Sequence, residues 1–450
     1  MLTVVVPIII QNTITNVVSL LDNVMVGQVG TLPMSAVAII NQLLFVFNLS
    51  IFGGMAGAGI FAAQFAGSGD DRGVQACFRL KLMIGAVLLT LATAILALLP
   101  DRLIGLYLAA DTAEADAAAT LTYGWDYLRL MLPGLVPFVI TQAYASTLRE
   151  LGETRLPMLA GAAAIGVNLV FNWLLIFGNL GFPRLGVTGA AAATTLSRFV
   201  EAAIIVLCAH RRRYPFLRKA YTSLYVPAQL LKDVGKKGSP LLVNEILWSG
   251  GLAVLLQCWS VRGLEAVAAA NIASTVSNMF NVVFLSMGSA VAILVGQELG
   301  AGRTEGARDM ARKLTAATVL ACVPIGLSLF LLAPVIPGIY DTEESVRQLA
   351  SGFLRVTAVL MPVYAFSNNC YFVLRSGGRT MITFFFDSGF TWCVSVPAAW
   401  LLTRLTGLPI LPIYMTVQGL DVLKAAAGFL LMKKGIWIRN IVQEMQKTGL

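Results

Sequence analysis

The run AVAIINQLLFVFNLSIFGGMAGAGIFAAQFAGSG, residues 36–69, carries no charged side chain, and AVAAANIASTVSNMFNVVFLSMGSAVAILVGQELGAG, residues 266–302, repeats its outline. AVAIIN at 36–41 is echoed by AVAAAN at 266–271, and Gln64, Gly67 and Gly69 by Gln297, Gly300 and Gly302. A helix needs ~20 apolar residues to cross the hydrocarbon of a bilayer. Both runs are longer than that, so tilt or extension beyond the membrane is expected. Their apolar residues do not alternate with period two, which favours helices over a barrel. The stretch therefore reads as a membrane-spanning helix, present twice.

Working outward, apolar runs of spanning length recur near 2–27, 36–66, 78–99, 121–146, 156–178 and 187–209, and again near 238–258, 267–299, 314–336, 351–373, 381–403 and 409–432. Leu148, Arg149, Gly152 and Thr154 in LRELGET match Leu374, Arg375, Gly378 and Thr380 in LRSGGRT, and Pro7 and Gln11 match Pro240 and Asn244. The expected fold is an all-α polytopic membrane protein with twelve transmembrane helices in two pseudo-symmetric six-helix lobes. The divisions are an N-terminal lobe at 1–209, a basic linker at 210–237, a C-terminal lobe at 238–432 and a basic tail at 433–450. Because each half carries an even number of spans with the same charge bias, the repeat is parallel, about an axis along the membrane normal. A midplane site between two bundles is the usual product of such a repeat.

Composition agrees. Of 450 residues, 57% are hydrophobic and only 12% charged, about half the charge of an ordinary soluble chain. The net charge of +9 falls in short loops, the pattern of a protein that keeps its bases in the cytoplasm, not that of a nucleic-acid binder. Cytoplasmic termini place Arg72, Arg79, Lys81, Arg149, Arg155, Arg303, Arg308, Arg312, Lys313, Arg375 and Arg379, with the linker and tail, on the inside. Arg102, Arg184, Arg262, Arg347 and Arg404 fall outside, beside the acidic loop residues Asp111, Glu114, Asp116, Asp341, Glu343 and Glu344. The expected location is the cytoplasmic (inner) membrane. No cleavable signal peptide is expected, and the chain opens without the polar leader usual before a first span.

Several chemistries are set aside. The six cysteines form no CxxC pair and read as buried thiols. The single histidine, His210, precedes three arginines and reads as an interfacial loop residue. No GxxxxGK[ST] phosphate loop is present, and no His, Cys or Ser/Lys constellation suits an enzyme. The chain reads as a transporter driven by an ion gradient, with no cofactor beyond the coupling ion, no nucleic-acid partner, and a monomeric state.

Charges inside a span cost a few kcal/mol on insertion scales, so each requires a reason. Asp22, Glu245 and Asp387 have no base beside them in sequence and are the candidates for cation or substrate contact. Arg198 with Glu201, Asp421 with Lys424, and Asp126 with Arg129 are three apart and read as local ion pairs. Asn41, Asn168, Asn172 and Thr194 are neutral groups suited to an oxygen-rich site around Asp22, and Asn168 and Asn172 share a helix face. A carboxylate withdrawn from water holds its proton more tightly, which suits proton coupling. Neutral oxygens around one ionised Asp suit sodium instead, with Asp22, Asn168, Asn172 and Thr194 as ligands.

The pattern Pro7, Gln11, Asp22, Met25-Val26-Gly27, followed by Asn41-Gln42, Gly57, Gln64 and Gly67, then LRELGETRLPM, GVTGAAAATTLSR, NEILW at 244–248 and LRSGGRT, resembles the multidrug and toxic compound extrusion (MATE) family over essentially the whole chain. The resemblance implies a V of two six-helix lobes that alternate between outward- and inward-open states. It implies a cation site on Asp22, Asn168, Asn172, Ala190 and Thr194, and a span-seven acid at Glu245 beside Asn244 and Trp248. Some members carry a second Asp where this chain has Asn172. The substrates it implies are amphipathic organic cations. Asn41, Asn244, Trp248, Tyr364 and Asp387 are the candidate contacts for them in this chain, with Phe45 and Phe47 as further liners; Asp387 lies in no motif that the resemblance carries over. The function expected is export of such cations in exchange for H+ or Na+. The alternative is a flippase for lipid-linked oligosaccharides or peptidoglycan precursors. That chemistry needs several buried bases, whereas Arg129, Arg198, Arg355 and Lys424 mostly have an acid nearby.

Overall fold

The computed structural model describes residues 2–29, 31–105, 107, 114–218, 220–223, 225–340 and 342–447. Met1, Asp111, Lys219, Asp341 and the tail residues 448–450 lie outside the described residues. Every regular element among the described residues is helical: α1 (Leu2–Gly27), α2 (Thr31–Ser68), α3 (Asp71–Leu98), α4 (Pro100–Gly105), α5 (Glu114–Met131), α6 (Leu135–Glu150), α7 (Arg155–Phe177), α8 (Val187–Arg211), α9 (Ala228–Ser260), α10 (Leu264–Gly300), α11 (Thr304–Leu332), α12 (Glu344–Ser376), α13 (Thr380–Phe384), α14 (Val396–Leu405), α15 (Ile410–Gly419), α16 (Asp421–Lys433) and α17 (Ile441–Lys447).

Ten of these stretches are long and apolar enough to cross a membrane. The two remaining expected spans are present in altered form. The first is α1, with an apolar stretch at Thr3–Val17. The eleventh is broken: α13 passes into π-helical turns at 385–389 and 391–395 before α14 resumes. Pro133 lies in a single 3₁₀ turn that separates α5 from α6, because its ring cannot continue the helical hydrogen bonding. Helices α2 and α10, of 38 and 37 residues, rise ~1.5 Å per residue and so exceed a ~30 Å hydrocarbon core by far. Large apolar side chains point outward along the bundle, among them Leu91, Leu207, Leu320, Val359 and Met415, each more than half exposed. Such a surface would be a liability in water and is what lipid requires. This is a multi-pass membrane protein.

The helices cluster into two compact units, one of residues 10–62 and 71–231, the other of 1–9, 63–70 and 232–450. In the first, α7 and α8 approach closely because α8 begins with small residues. A Cβ at Gly189 would come within 2.6 Å of the Leu175 carbonyl oxygen. Ala190, Ala191 and Ala193 are buried along the same seam. Lys81 of α3 is fully buried, its Nζ 2.5 Å from Glu150 and donating to Ser146 (3.0 Å) and Thr147 (3.2 Å). Gly59 leaves the space that the Glu150 carboxylate fills. In the second unit the two repeat motifs meet. A Cβ at Gly67 would strike the Gln297 carbonyl, and one at Gly300 the Gln64 carbonyl. The Gln64 side chain then donates to Ser376 O (3.0 Å) and accepts from Ile441 N (2.8 Å), tying α2 to α17.

Several expectations change. Arg375, counted among the loop bases, is buried in α12, and Lys81, within the expected span 78–99, is fully buried in α3, where Glu150 compensates it. Lys424 pairs with Asp387 at 2.7 Å, not with Asp421. Among the described residues no ion pair within 4.0 Å joins Arg198 to Glu201 or Asp126 to Arg129, and Arg198 stacks over Phe138 at 5.1 Å. His210 is the penultimate residue of α8, stacked on Tyr221 at 6.0 Å. All six cysteines are free, Cys393 alone exposed.

Candidate functional site

In the first unit, Asp22 is held at the junction of α1, α7 and α8. The i,i+4 spacing of Asn168 and Asn172 puts both amides on one face of α7, and the glycine–alanine seam brings Thr194 of α8 against them. Asn172 Nδ2 donates to Asp22 Oδ1. With the Asn168 amide oriented to satisfy both its ends, its nitrogen donates to Asp22 at 2.9 Å while its oxygen accepts from Thr194 Oγ1 at 3.2 Å. Asn168 and Asn172 are almost fully buried. Asn172 Oδ1 has no hydrogen-bond partner among the described residues.

Two cavities open from this cluster, and Asp22, Thr194 and Arg198 line both. One, of about 180 Å³, is bounded by Gln11, Asn168 and Glu201. The other, of about 310 Å³, is bounded by Asn41, Phe45, Tyr127, Asn172 and Ala190. Asn41 Oδ1 accepts from the Tyr127 hydroxyl at 3.3 Å. Phe47 is buried against Phe138, with ring centroids 6.0 Å apart. Among the described residues the chemistry offered is one carboxylate held by neutral amides, an unpartnered amide oxygen and a hydroxyl, facing space large enough for a small ion and its waters. Arg198 is the residue the sequence reading missed. Its spacing from Glu201 suggested a local pair, whereas its Nη1 is buried without a hydrogen-bond partner among the described residues, and Arg198 lines both Asp22 cavities.

The second unit holds a different arrangement. Asn244 of α9 donates to Asp387 Oδ2 at 3.1 Å and reaches the Tyr371 hydroxyl at 3.5 Å. Ser388 returns its hydroxyl to Asn244 Oδ1 at 2.7 Å. Lys424 donates to Asp387 Oδ1 at 2.7 Å and sits 5.5 Å from the Phe386 ring. The π-helical turn lets consecutive residues Asp387 and Ser388 both address Asn244. Glu245, adjacent in sequence, lies in the fields of Arg375 and Asp387. Trp248 is 37% exposed. Tyr364 donates to Gln418 at 3.0 Å and packs with an apolar cluster, apart from the Asn244 network. No group of three or more His, Cys, Asp or Glu side chains suited to a metal is present among the described residues.

The chain is 24% identical to a probable multidrug resistance protein NorM of Thermotoga maritima, covering 97% of this chain and 92% of that protein. Its fold superposes on a MOP superfamily transporter from Pyrococcus furiosus with a TM-score of 0.87 at 19% identity, over 97% of this chain and 95% of that one. A Vibrio cholerae MATE transporter, VcmN, gives 0.86 at 20% identity, over 97% and 96%. These two neighbours share the fold of two helical lobes. The MatE family pattern matches this chain twice, at residues 7–174 and 240–401, once in each copy of the repeat that the sequence displays. With most of its length so matched, the chain belongs to the MatE family of transporters.

Proposed function

We propose that the protein is a secondary active antiporter that exports amphipathic organic cations in exchange for H+ or Na+. It works as a monomer in the cytoplasmic (inner) membrane with both termini in the cytoplasm. The observation that carries the reading is Asp22, a carboxylate bound by the Asn168 and Asn172 amides and exposed to two cavities. Neutral amides orient the carboxylate without cancelling its charge. A proton or a sodium ion arriving there competes for the same oxygens, and the unpartnered Asn172 Oδ1 would serve a metal cation better than a proton. At an effective dielectric of ~20, a unit charge ~4 Å from a carboxylate is stabilised by about 4 kcal/mol, roughly a thousandfold in affinity. That difference is large enough to make loading of the ion and retention of an organic cation mutually exclusive. Glu245 supplies the second acid, since Asp387 is already compensated by Lys424. Aromatic side chains such as Phe45 and Tyr127 on the 310 Å³ cavity suit a flat cation through its charge and its apolar face. The relatives named as multidrug resistance proteins fit this substrate class.

The test is ethidium efflux from cells expressing the protein, with Asp22→Asn and Glu245→Gln alongside the wild type. Asp22→Asn is expected to reduce efflux to the empty-vector level. Stimulation by sodium at fixed pH assigns Na+ as the coupling ion, and a response to pH alone assigns H+. Undiminished efflux by both variants would remove the mechanism.

A further inference from the structure

The two copies of the repeat differ at the face where α11, and α3 in the first copy, begins. With the 233-residue offset of Gly67 to Gly300, Gln75 corresponds to Arg308, Phe78 to Ala311 and Arg79 to Arg312; with the 226-residue offset of Leu148 to Leu374, Tyr144 corresponds to Cys370. In the first copy this face is closed by the chain itself. Phe78 meets Tyr144 at 5.0 Å and Phe216 at 5.1 Å. Arg79 donates to the carbonyls of Ala220 (2.9 Å) and Tyr225 (3.2 Å), and Gln75 to that of Phe216 (3.3 Å). In the second copy the two large rings are replaced by Ala311 and Cys370, and a groove of about 670 Å³ remains.

We propose that this groove, with Arg308, Arg312 and Lys433 at its mouth and Phe366 and Trp437 on its walls, binds the headgroup and upper acyl chain of an anionic phospholipid. The polarity is graded along α11. Arg308 and Arg312 lie in its first turns, and Val319 and Leu320, further along the same face, are apolar. Arg308 to Leu320 spans ~18 Å at ~1.5 Å per residue, a length that matches a headgroup followed by part of an acyl chain. Arg312 and Lys433 have no ion-pair or hydrogen-bond partner among the described residues, and Arg308 has only the exposed Glu305 at 3.8 Å. Asp309, the other acid nearby, is taken by Lys313 at 2.6 Å. Thr315, which lines the groove, is buried, and its hydroxyl has no partner among the described residues. Basic pockets between spanning helices at a membrane surface are suited to such headgroups, each base contributing a separate attraction to the phosphate.

The experiment is native mass spectrometry of the full chain in detergent, titrated with phosphatidylglycerol or with phosphatidylcholine of the same acyl chains. The wild type is expected to retain phosphatidylglycerol at least about tenfold better. The Arg308→Gln/Arg312→Gln double variant should lose about thirtyfold in affinity, about fivefold per base. Ala316→Trp, a lipid-facing position on the groove, should block binding sterically, while Lys313→Gln, paired outside it, should bind normally. If the double variant does not fold, Lys433→Gln alone should still show about a fivefold loss. Equal retention of both lipids by the wild type would overturn the proposal. So would equal losses in the Lys313 and Arg308/Arg312 variants, or full competition by glycerophosphate without acyl chains, which would make this a site for soluble anions.

Discussion

Asp22 and Asp387 are both carboxylates inside membrane-spanning segments, and their surroundings differ. Asp22 is met by amides, which orient it and leave its charge intact. Asp387 is met by Lys424, with Asn244 and Ser388 completing a closed network. A buried acid with a buried base is electrically neutral and has little to offer a passing cation. Asp22 has no base within ion-pair distance among the described residues, so no paired partner cancels its charge, although Arg198 lines the same cavities. If Asp22 carries the ion as proposed, the partner of an intramembrane acid, more than its depth, is what separates a transport group from a strut.

The comparison can be broken most severely at Lys424. Lys424→Met strands Asp387 and should destabilise the protein by about 3–5 kcal/mol, read as a lower melting temperature in detergent. Lys424→Met/Asp387→Leu should recover most of that loss, because an apolar pair of similar volume avoids the desolvation cost. Persistence of the full loss in the double variant would mean that Asp387 serves more than the pair. Asn172→Ala should cost less, about 1.5–3 kcal/mol for a hydrogen bond to a charged group, and the loss should appear in function. The ion concentration for half-maximal efflux shifts by tenfold or more while the melting temperature stays near wild type. Asn244→Ala removes comparable bonds from the other network and should do the reverse. It lowers stability by about 1–3 kcal/mol and leaves the ion dependence unchanged. If both variants shift ion dependence equally, the two acids share one task. The smallest effect is expected from Tyr127→Phe, which removes the 3.3 Å bond to Asn41. About 0.5–1.5 kcal/mol should translate into efflux reduced no more than roughly tenfold.

The spans were legible because apolar length is a local property, and uncharged runs such as 36–69 admit little else. The grouping of Asn168 with Asn172 was legible for the same reason, being a matter of helical periodicity. What escaped was tertiary choice. Lys424 stands three residues from Asp421 and thirty-seven from Asp387, and spacing alone favours the nearer acid. Packing of α16 against the π-helical stretch reverses that choice. Arg198 escaped likewise: its spacing from Glu201 suggested a private pair, while from α8 it lines the Asp22 cavities and sets its guanidinium over Phe138. The break in span eleven left no mark in hydropathy, since an i→i+5 turn changes geometry without changing composition.

That stretch of wide turns also makes a separable experiment of the helix and its site. Each π turn accommodates surplus chain, so deleting one residue between Gly389 and Thr391 would let the backbone settle into ordinary α-turns. Because the residue removed is the surplus one, α13 and α14 would keep close to their present register on either side of it. The span would survive as a continuous rod, and Asp387 and Ser388 would no longer both be offered to Asn244.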